Sequence, residues 1–206
     1  MITGAKGIWL NIGSSGRITP GFEHVDRETI PGANVRVCDV RLGLPYATGS
    51  VEVAVMSHVA EHLHPFWELP GVLREVHRVL MPGGVFRVAV PDLAKLVEAY
   101  AMPDSPVAAA LGETQRELRE YVGTAYKDLP AALRFSVIAL GDNSGSPAYD
   151  GHRVVFDAEA LKWVLVKSGF TDFAVVGPAE SRHPELLKRY RDVEAAEEIV
   201  AEVTRP

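Results

Sequence analysis

The chain has 206 residues, 47% apolar and 23% charged, which suits a single globular domain large enough to bury a sizeable core. A formal net charge of −6 and a pI near 5.6 offer no basic face for nucleic acid and no attraction to an anionic membrane. Cys38 is the only cysteine, so an intrachain disulfide is excluded.

The opening MITGAKGIWLNIG has one lysine and a short apolar run, without the long hydrophobic region and small-residue cleavage site of a signal peptide. No stretch approaches the ~20 apolar residues that span a bilayer, so the expectation is a cytoplasmic protein. Ile8, Leu10 and Ile12 alternate with Trp9 and Asn11 as a first strand, which stops at Gly13-Ser14-Ser15-Gly16. Glycine, having no Cβ, lets the backbone turn sharply and approach a ligand closely. Phe22, His24 and Val25 lead along a second strand to Asp26. A carboxylate at the tip of that strand, beside such a turn, is placed to accept hydrogen bonds from a ribose diol. Gly13 and Asp26 are only 13 positions apart, so the helix usual between them is missing or reduced. The nicotinamide-dinucleotide fingerprint has its acidic residue roughly 20 residues on, which argues against a dehydrogenase.

A third strand is expected at Val35–Val40, carrying Cys38 and Asp39, and a fourth at Val51–Ser57, whose near-continuous apolar run suits a buried parallel strand. Residues 66–80 read as a helix with Val72, Leu73, Val76, Val79 and Leu80 on one face; Pro82-Gly83-Gly84 ends it before a fifth strand at Val85–Val90. Residues 93–150 then read as a helical insert (93–100, 106–128, 130–140) closing on a Gly/Ser/Asn loop, long enough to be a lid or an extra helical layer. Asp157 is a natural N-cap, Phe156 with Leu161 fits a hydrophobic staple, Leu161, Val164 and Leu165 form a stripe, and Gly169 closes the helix. Phe170–Val176 is a sixth strand, 185–194 a polar helix, and EEIVAEVTRP a seventh strand with Ile199, Ala201 and Val203 alternating against Val200, Glu202 and Thr204. Strand–helix–strand units of this kind build a parallel α/β sheet.

With these pieces placed, the chain resembles the class I S-adenosylmethionine-dependent methyltransferases, in particular a compact subgroup with a short glycine turn and a His-x-x-Glu-His segment. The residues that carry the likeness are LNIGSSG (10–16), PGFEHVDR (20–27), LPYATGSVEVAVMSHVAEHL (44–63), LREVHRVLMPGGVFRVAVPDL (73–93) and HRVVFDAEALKWVLVKSGF (152–170). The resemblance implies a Rossmann-like, seven-stranded, mostly parallel sheet with an antiparallel last strand, in one domain over 1–206 with the insert after strand five. It also implies S-adenosyl-L-methionine as cofactor. Carried over by position, Gly13 and Gly16 flank its methionine portion, with Asn11, Ser14 and Ser15 in the same turn. Asp26 holds the ribose hydroxyls, Asp39 and Val40 meet the adenine, and Ser57 and His58 border the sulfonium and the acceptor. Two positions depart from the pattern: the family usually has glycine where Ser15 stands and commonly an acidic residue where Asn11 stands. Both bear on cofactor affinity.

Methyl transfer from a sulfonium is an in-line displacement, so aligning the partners does most of the work, and a base adds to it when the acceptor is a hydroxyl. His58 is the first candidate base, with His152 and Asp92 behind it; Glu61 is expected to hydrogen-bond nearby backbone. The block His58-Val59-Ala60-Glu61-His62 also matches the pattern of inverted zinc peptidases. Pro65 and the preceding strand make any helix here short where that pattern needs a long one, so a zinc hydrolase stands only third among the readings and no metal ligand set is assigned. Trp9, Trp67 and Trp163 read as core or interface packing, and Lys188-Arg189-Tyr190-Arg191 as a solvated helix face. The leading expectation is a methyltransferase acting on a small-molecule acceptor under the insert, with no nucleic acid or membrane partner. The alternative is a non-catalytic module of the same fold that keeps a nucleoside ligand or acts through a partner surface.

Overall fold

The computed structural model describes residues 7–114, 130, 132, 133, 135, 139, 151–177, 179–190 and 198–206. Its strands are β1 (Ile8–Ile12), β2 (Glu23–Asp26), β3 (Arg36–Val37), β4 (Val51–Ser57), β5 (Leu80–Pro91), β6 (Thr171–Val176) and β7 (Glu198–Thr204). They form one seven-stranded sheet in the order β3-β2-β1-β4-β5-β7-β6. The β1, β2, β3, β4 and β5 pairings are parallel, and β7 runs antiparallel to both β5 and β6, as the fold class anticipates. The helices are α1 (Leu69–Val79), α2 (Leu93–Ala101), α3 (Pro106–Thr114), α4 (Ala158–Lys167) and α5 (Pro184–Leu187). No helix among the described residues is long and apolar enough to cross a membrane.

Alternation along the central strands sends side chains to both faces of the sheet. Leu10, Ile12, Ala54 and Met56 join the main core with Val72 and Val76 of α1 and Leu161 and Leu165 of α4. Trp9, Val53 and Val55 point the other way and meet Phe22, Leu186 of α5 and Tyr190. α1 buries Leu69, Val72, Leu73, Val76 and Val79, the stripe its period predicts. Asp157 caps α4 by accepting a 2.7 Å hydrogen bond from the Ala160 amide, and Gly169 follows the helix at φ +98°, a left-handed position that favours glycine.

Local chemistry moves several boundaries. Only Arg36–Val37 pairs in the third strand, because Asp39 caps a 3-10 turn at Val40–Leu42 and takes the chain out of the sheet. Pro82-Gly83-Gly84 does not end a helix. The helix stops at Val79, and residues 81–84 lie in β5 as a bulge, where the pairing with β4 jumps from Leu80 to Val85. β7 has no polar face: Glu198 and Glu202 are buried along with their apolar neighbours. Arg87 on β5 explains Glu202, donating to its carboxylate at 2.7 Å.

Trp9 is core, whereas Trp67 and Trp163 are 76% and 58% exposed and so lie outside the core. Lys188 and Arg189 are exposed as that run predicts, but Tyr190 is buried and the Arg189 guanidinium lies 4.5 Å over the Trp9 ring. From the insert, α2 and α3 are in place, with Leu96 packed against Val107. The expected remainder of the 106–128 helix, most of the 130–140 helix, the Gly/Ser/Asn loop and residues 191–194 fall outside the described residues.

Candidate active site

The site lies at the carboxyl ends of the parallel strands, where an open α/β sheet reverses its order and leaves a crevice. Gly13 follows β1 directly, at φ +70°, and a Cβ there would meet Val59 Cγ2 at 2.2 Å. Only glycine lets the chain from β1 pass this close to the chain leaving β4. The bend continues through Ser15, at φ +44°, and Gly16, at φ +80°. No helix forms between this bend and β2, as the 13-residue spacing predicts.

Asp26, at the tip of β2, is tied directly to the bend. Its Oδ2 accepts the Ser15 amide at 2.8 Å and its Oδ1 the Glu28 amide at 3.2 Å. An ionised carboxylate has about four lone-pair sites, so each oxygen retains acceptor capacity while its direction is fixed. A cavity of about 420 Å³ opens in front, within the ~300–1,000 Å³ class of small-molecule sites. Gly13, Ser15, Asp26, Asp39, Val40 and His58 line it, six of the residues the sequence nominates.

The other nominated positions support the wall without lining it. Asn11 is buried and its side-chain amide donates to the Arg17 carbonyl at 3.4 Å, which holds the bend. The hydroxyls of Ser14 and Ser57 are buried with no partner among the described residues. A Cβ at Gly16 would come within 3.3 Å of Ile30, itself a lining residue. Asp39 lines the cavity with its carboxylate engaged by Arg41, at 2.9 Å to Nε and 2.7 Å to Nη2. The Arg41 hydrogen bond holds that carboxyl below the usual carboxylate range.

The three catalytic candidates fare differently. His58 sits just past β4 in the left-handed region at φ +54°. Its Nδ1 bonds Glu61 Oε1 at 3.0 Å and its Nε2 bonds Glu198 Oε1 at 2.5 Å. Burial alone would lower its pKa, but the hydrogen bonds to Glu198 and Glu61 outweigh that and raise it to about 10. Both ring nitrogens of His58 are thus engaged by carboxylates that favour its protonated form, whereas the sequence reading expects a free base. Glu61, expected on backbone, is fully buried and bonds this ring instead. Asp92 caps α2, its carboxylate accepting the Ala94 amide at 3.0 Å, and it is not among the described residues that line the cavity. His152 is brought in by the late segment. Its Nε2 lies 4.0 Å from Glu61, and its ring meets His62 edge-on at 4.8 Å.

The His-x-x-Glu-His block does not form the helix of a zinc peptidase. It turns through one 3-10 element, Ala60–His62, and His58 and His62 do different jobs. Three features escape the sequence reading. The loop 27–31 lines the cavity, and its position immediately after Asp26 is a signal that proximity would have supplied. His62 and Leu63 line it too, and His62 was visible only as part of the peptidase pattern. Glu198 carries no local signal at all; it reaches His58 because β7 inserts beside β5.

Residues 18–88 match a family model described as a methyltransferase domain. Among solved structures, the chain is similar to an S-adenosylmethionine-dependent methyltransferase from Thermotoga maritima, described as a possible histamine N-methyltransferase. The identity is 17%, over 99% of this chain and 84% of that one, with a TM-score of 0.52. It is also similar to the S-adenosylmethionine-dependent methyltransferase SibL (16% identity, 97% of this chain and 50% of that one, TM-score 0.51). A third is the CurJ carbon methyltransferase (14% identity, 97% and 48%, TM-score 0.52). The chain spans about half the length of the latter two, and at these identities the likeness is one of fold. No curated protein sequence matches it.

Proposed function

We propose that this chain is a class I S-adenosylmethionine-dependent methyltransferase, a reading its partial domain match and its fold support, and that it methylates a small-molecule acceptor bound at the end of the cavity beside His58 and His62. The observation that carries the reading is the hydrogen bond from the Ser15 amide to Asp26, which locks a carboxylate against a glycine bend at the mouth of a cavity.

The residues present fit the cofactor. Asp26 keeps acceptor capacity on both oxygens for a ribose diol, and Val40, Ile30 and Leu63 supply apolar wall for a purine. Ser15 lines the cavity and turns its backbone amide onto Asp26. When bound, the cofactor supplies an electrophilic methyl on sulfur.

The protein's part is mainly alignment, which can supply about 7–11 kcal/mol of the barrier. The Gly13–Gly16 bend and Asp26 fix one end of the cofactor, and the chain from His58 to Leu63 walls the other. His58 holds that segment: a cation clamped between Glu61 on the 3-10 turn and Glu198 on β7 pins the chain leaving β4 to the far side of the sheet. The insert that begins with α2 and α3 is the proposed cover over the acceptor.

Thermal melting with S-adenosylhomocysteine tests the reading. At 100 times its dissociation constant the ligand is expected to stabilise by about 2.7 kcal/mol, and Asp26→Ala should abolish the effect. No stabilisation at millimolar ligand would overturn the cofactor assignment. Stabilisation without methylated product from any acceptor in a broad library would favour a non-catalytic module.

A further inference from the structure

We propose that Glu61, His62 and His152 form a site for a divalent transition-metal cation in the wall of the cavity. Their ligating atoms lie within 4.8 Å of one another, although His152 is distant in sequence from the other two. Glu61 is fully buried, and its Oε2 has no hydrogen-bond partner among the described residues. A buried carboxylate oxygen left in that state is costly, and a cation is one of the few things that relieves it. The imidazoles of His62 and His152 approach edge to face at 4.8 Å, beside that oxygen's carboxylate.

The donor set selects the ion. Two imidazoles and one carboxylate suit zinc, manganese, iron or cobalt(II) better than the all-oxygen cages of calcium and magnesium. Bonds of about 2.0–2.2 Å would draw the three donors roughly 1 Å closer together, within reach of side-chain rotation. The supporting shell is built already. Glu61 Oε1 accepts from His58, and His58 is held in turn by Glu198, so the carboxylate is oriented before any ion arrives. The Glu61 carbonyl is tied to the late segment by accepting the Arg153 amide at 2.7 Å, which holds His152 next to the 3-10 turn.

His62 is shared with the cavity wall. Three protein ligands leave positions open, and an acceptor hydroxyl entering one of them would lose its proton more readily, as metal-bound water does. The hydroxyl role rests on the methyltransferase reading; the cation site itself does not.

Metal-stripped protein titrated with cobalt(II) and followed by visible absorption and equilibrium dialysis provides the test. One equivalent is expected to bind with d–d bands of nitrogen and oxygen ligation. Changes outside the ligand shell already weaken metal sites by about 10–100-fold, so His62→Ala, His152→Ala and Glu61→Gln should each cost more than 10-fold. His183→Ala, on the opposite face of the sheet, should leave binding unchanged. Any variant that fails to melt cooperatively is set aside and judged by the remaining ones. Absence of stoichiometric binding, or binding that survives both histidine substitutions, overturns the site. Melting with S-adenosylhomocysteine in metal-free buffer is read separately, so loss of the cation site and loss of the cofactor assignment are distinguishable.

Discussion

Glu198 on β7 lies 2.5 Å from Nε2 of His58 at the end of β4, although the two are 140 positions apart in sequence. Glu198 is buried and His58 keeps 33% of its side chain exposed, so the contact joins the sheet interior to the rim of the cavity. Removing the carboxylate leaves the imidazolium with Glu61 alone. Breaking a buried pair costs about 3–5 kcal/mol, and the partial exposure of His58 reduces this, so Glu198→Ala is expected to lose about 2–4 kcal/mol. Urea denaturation measures it, and a loss under ~0.5 kcal/mol, typical of a surface substitution, would contradict the clamp.

Gly13→Ala places a methyl group 2.2 Å from Val59 Cγ2 at a backbone position with φ +70°. Overpacking and left-handed strain together are expected to cost about 2–4 kcal/mol and to weaken S-adenosylhomocysteine binding, since both residues line the cavity. Adding Val59→Ala should restore the steric share and leave the backbone share. A double-mutant cycle by thermal melting separates the two, and strict additivity would count against the contact.

Arg87 and Glu202 pair across β5 and β7 at 2.7 Å, with 1% and 2% of their side chains exposed. Ser181 also donates to this carboxylate at 2.6 Å and the Arg182 amide at 2.8 Å, so Glu202 organises the chain beyond β6 as well. Glu202→Ala removes the carboxylate countercharge from a buried guanidinium, leaving it its carbonyl acceptors at Glu180 and Gly177, and is expected to cost about 3–5 kcal/mol. Replacing both residues with leucine should cost less than the single change. A double mutant weaker than Glu202→Ala would show that the pair stabilises beyond its own desolvation.

Glu75 on α1 accepts from Arg78 at 2.8 Å and from the Leu44 amide at 3.0 Å, tying the helix to the loop before β4. The Arg78 hydrogen bond leads the causes that lower its pKa from 4.5 to about 2. Because the folded value lies below the unfolded one, the stabilisation is present above pH 4.5 and fades as pH falls toward 2. The carboxylate side chain is 30% exposed, so screening leaves about 1–2 kcal/mol of the full shift. Glu75→Gln is expected to melt lower at pH 7 and to converge with the parent near pH 2. Parallel curves across that range would refute the coupling.

Much of the architecture was legible in the chain. Alternation at Ile8–Ile12, the unbroken apolar run at Val51–Ser57 and the stripe on α1 report local periods, and a local period is a property of neighbouring residues. Asp26 and the Gly13–Gly16 bend were legible for the same reason: the turn and the carboxylate are close in sequence, and the short spacing itself excluded a helix. The chemistry of His58 was not legible. A histidine after a strand reads as a free base until two carboxylates arrive, and Glu198 arrives only because β7 inserts antiparallel between β5 and β6. The same holds for Glu202, which alternates like a solvent-facing residue but lies against Arg87, and for His152, whose approach to Glu61 and His62 depends on the late segment crossing the 3-10 turn. Periodicity fixes which residues face inward along one strand; whether an inward polar group meets solvent, a countercharge or a ligand is decided by the strand placed beside it.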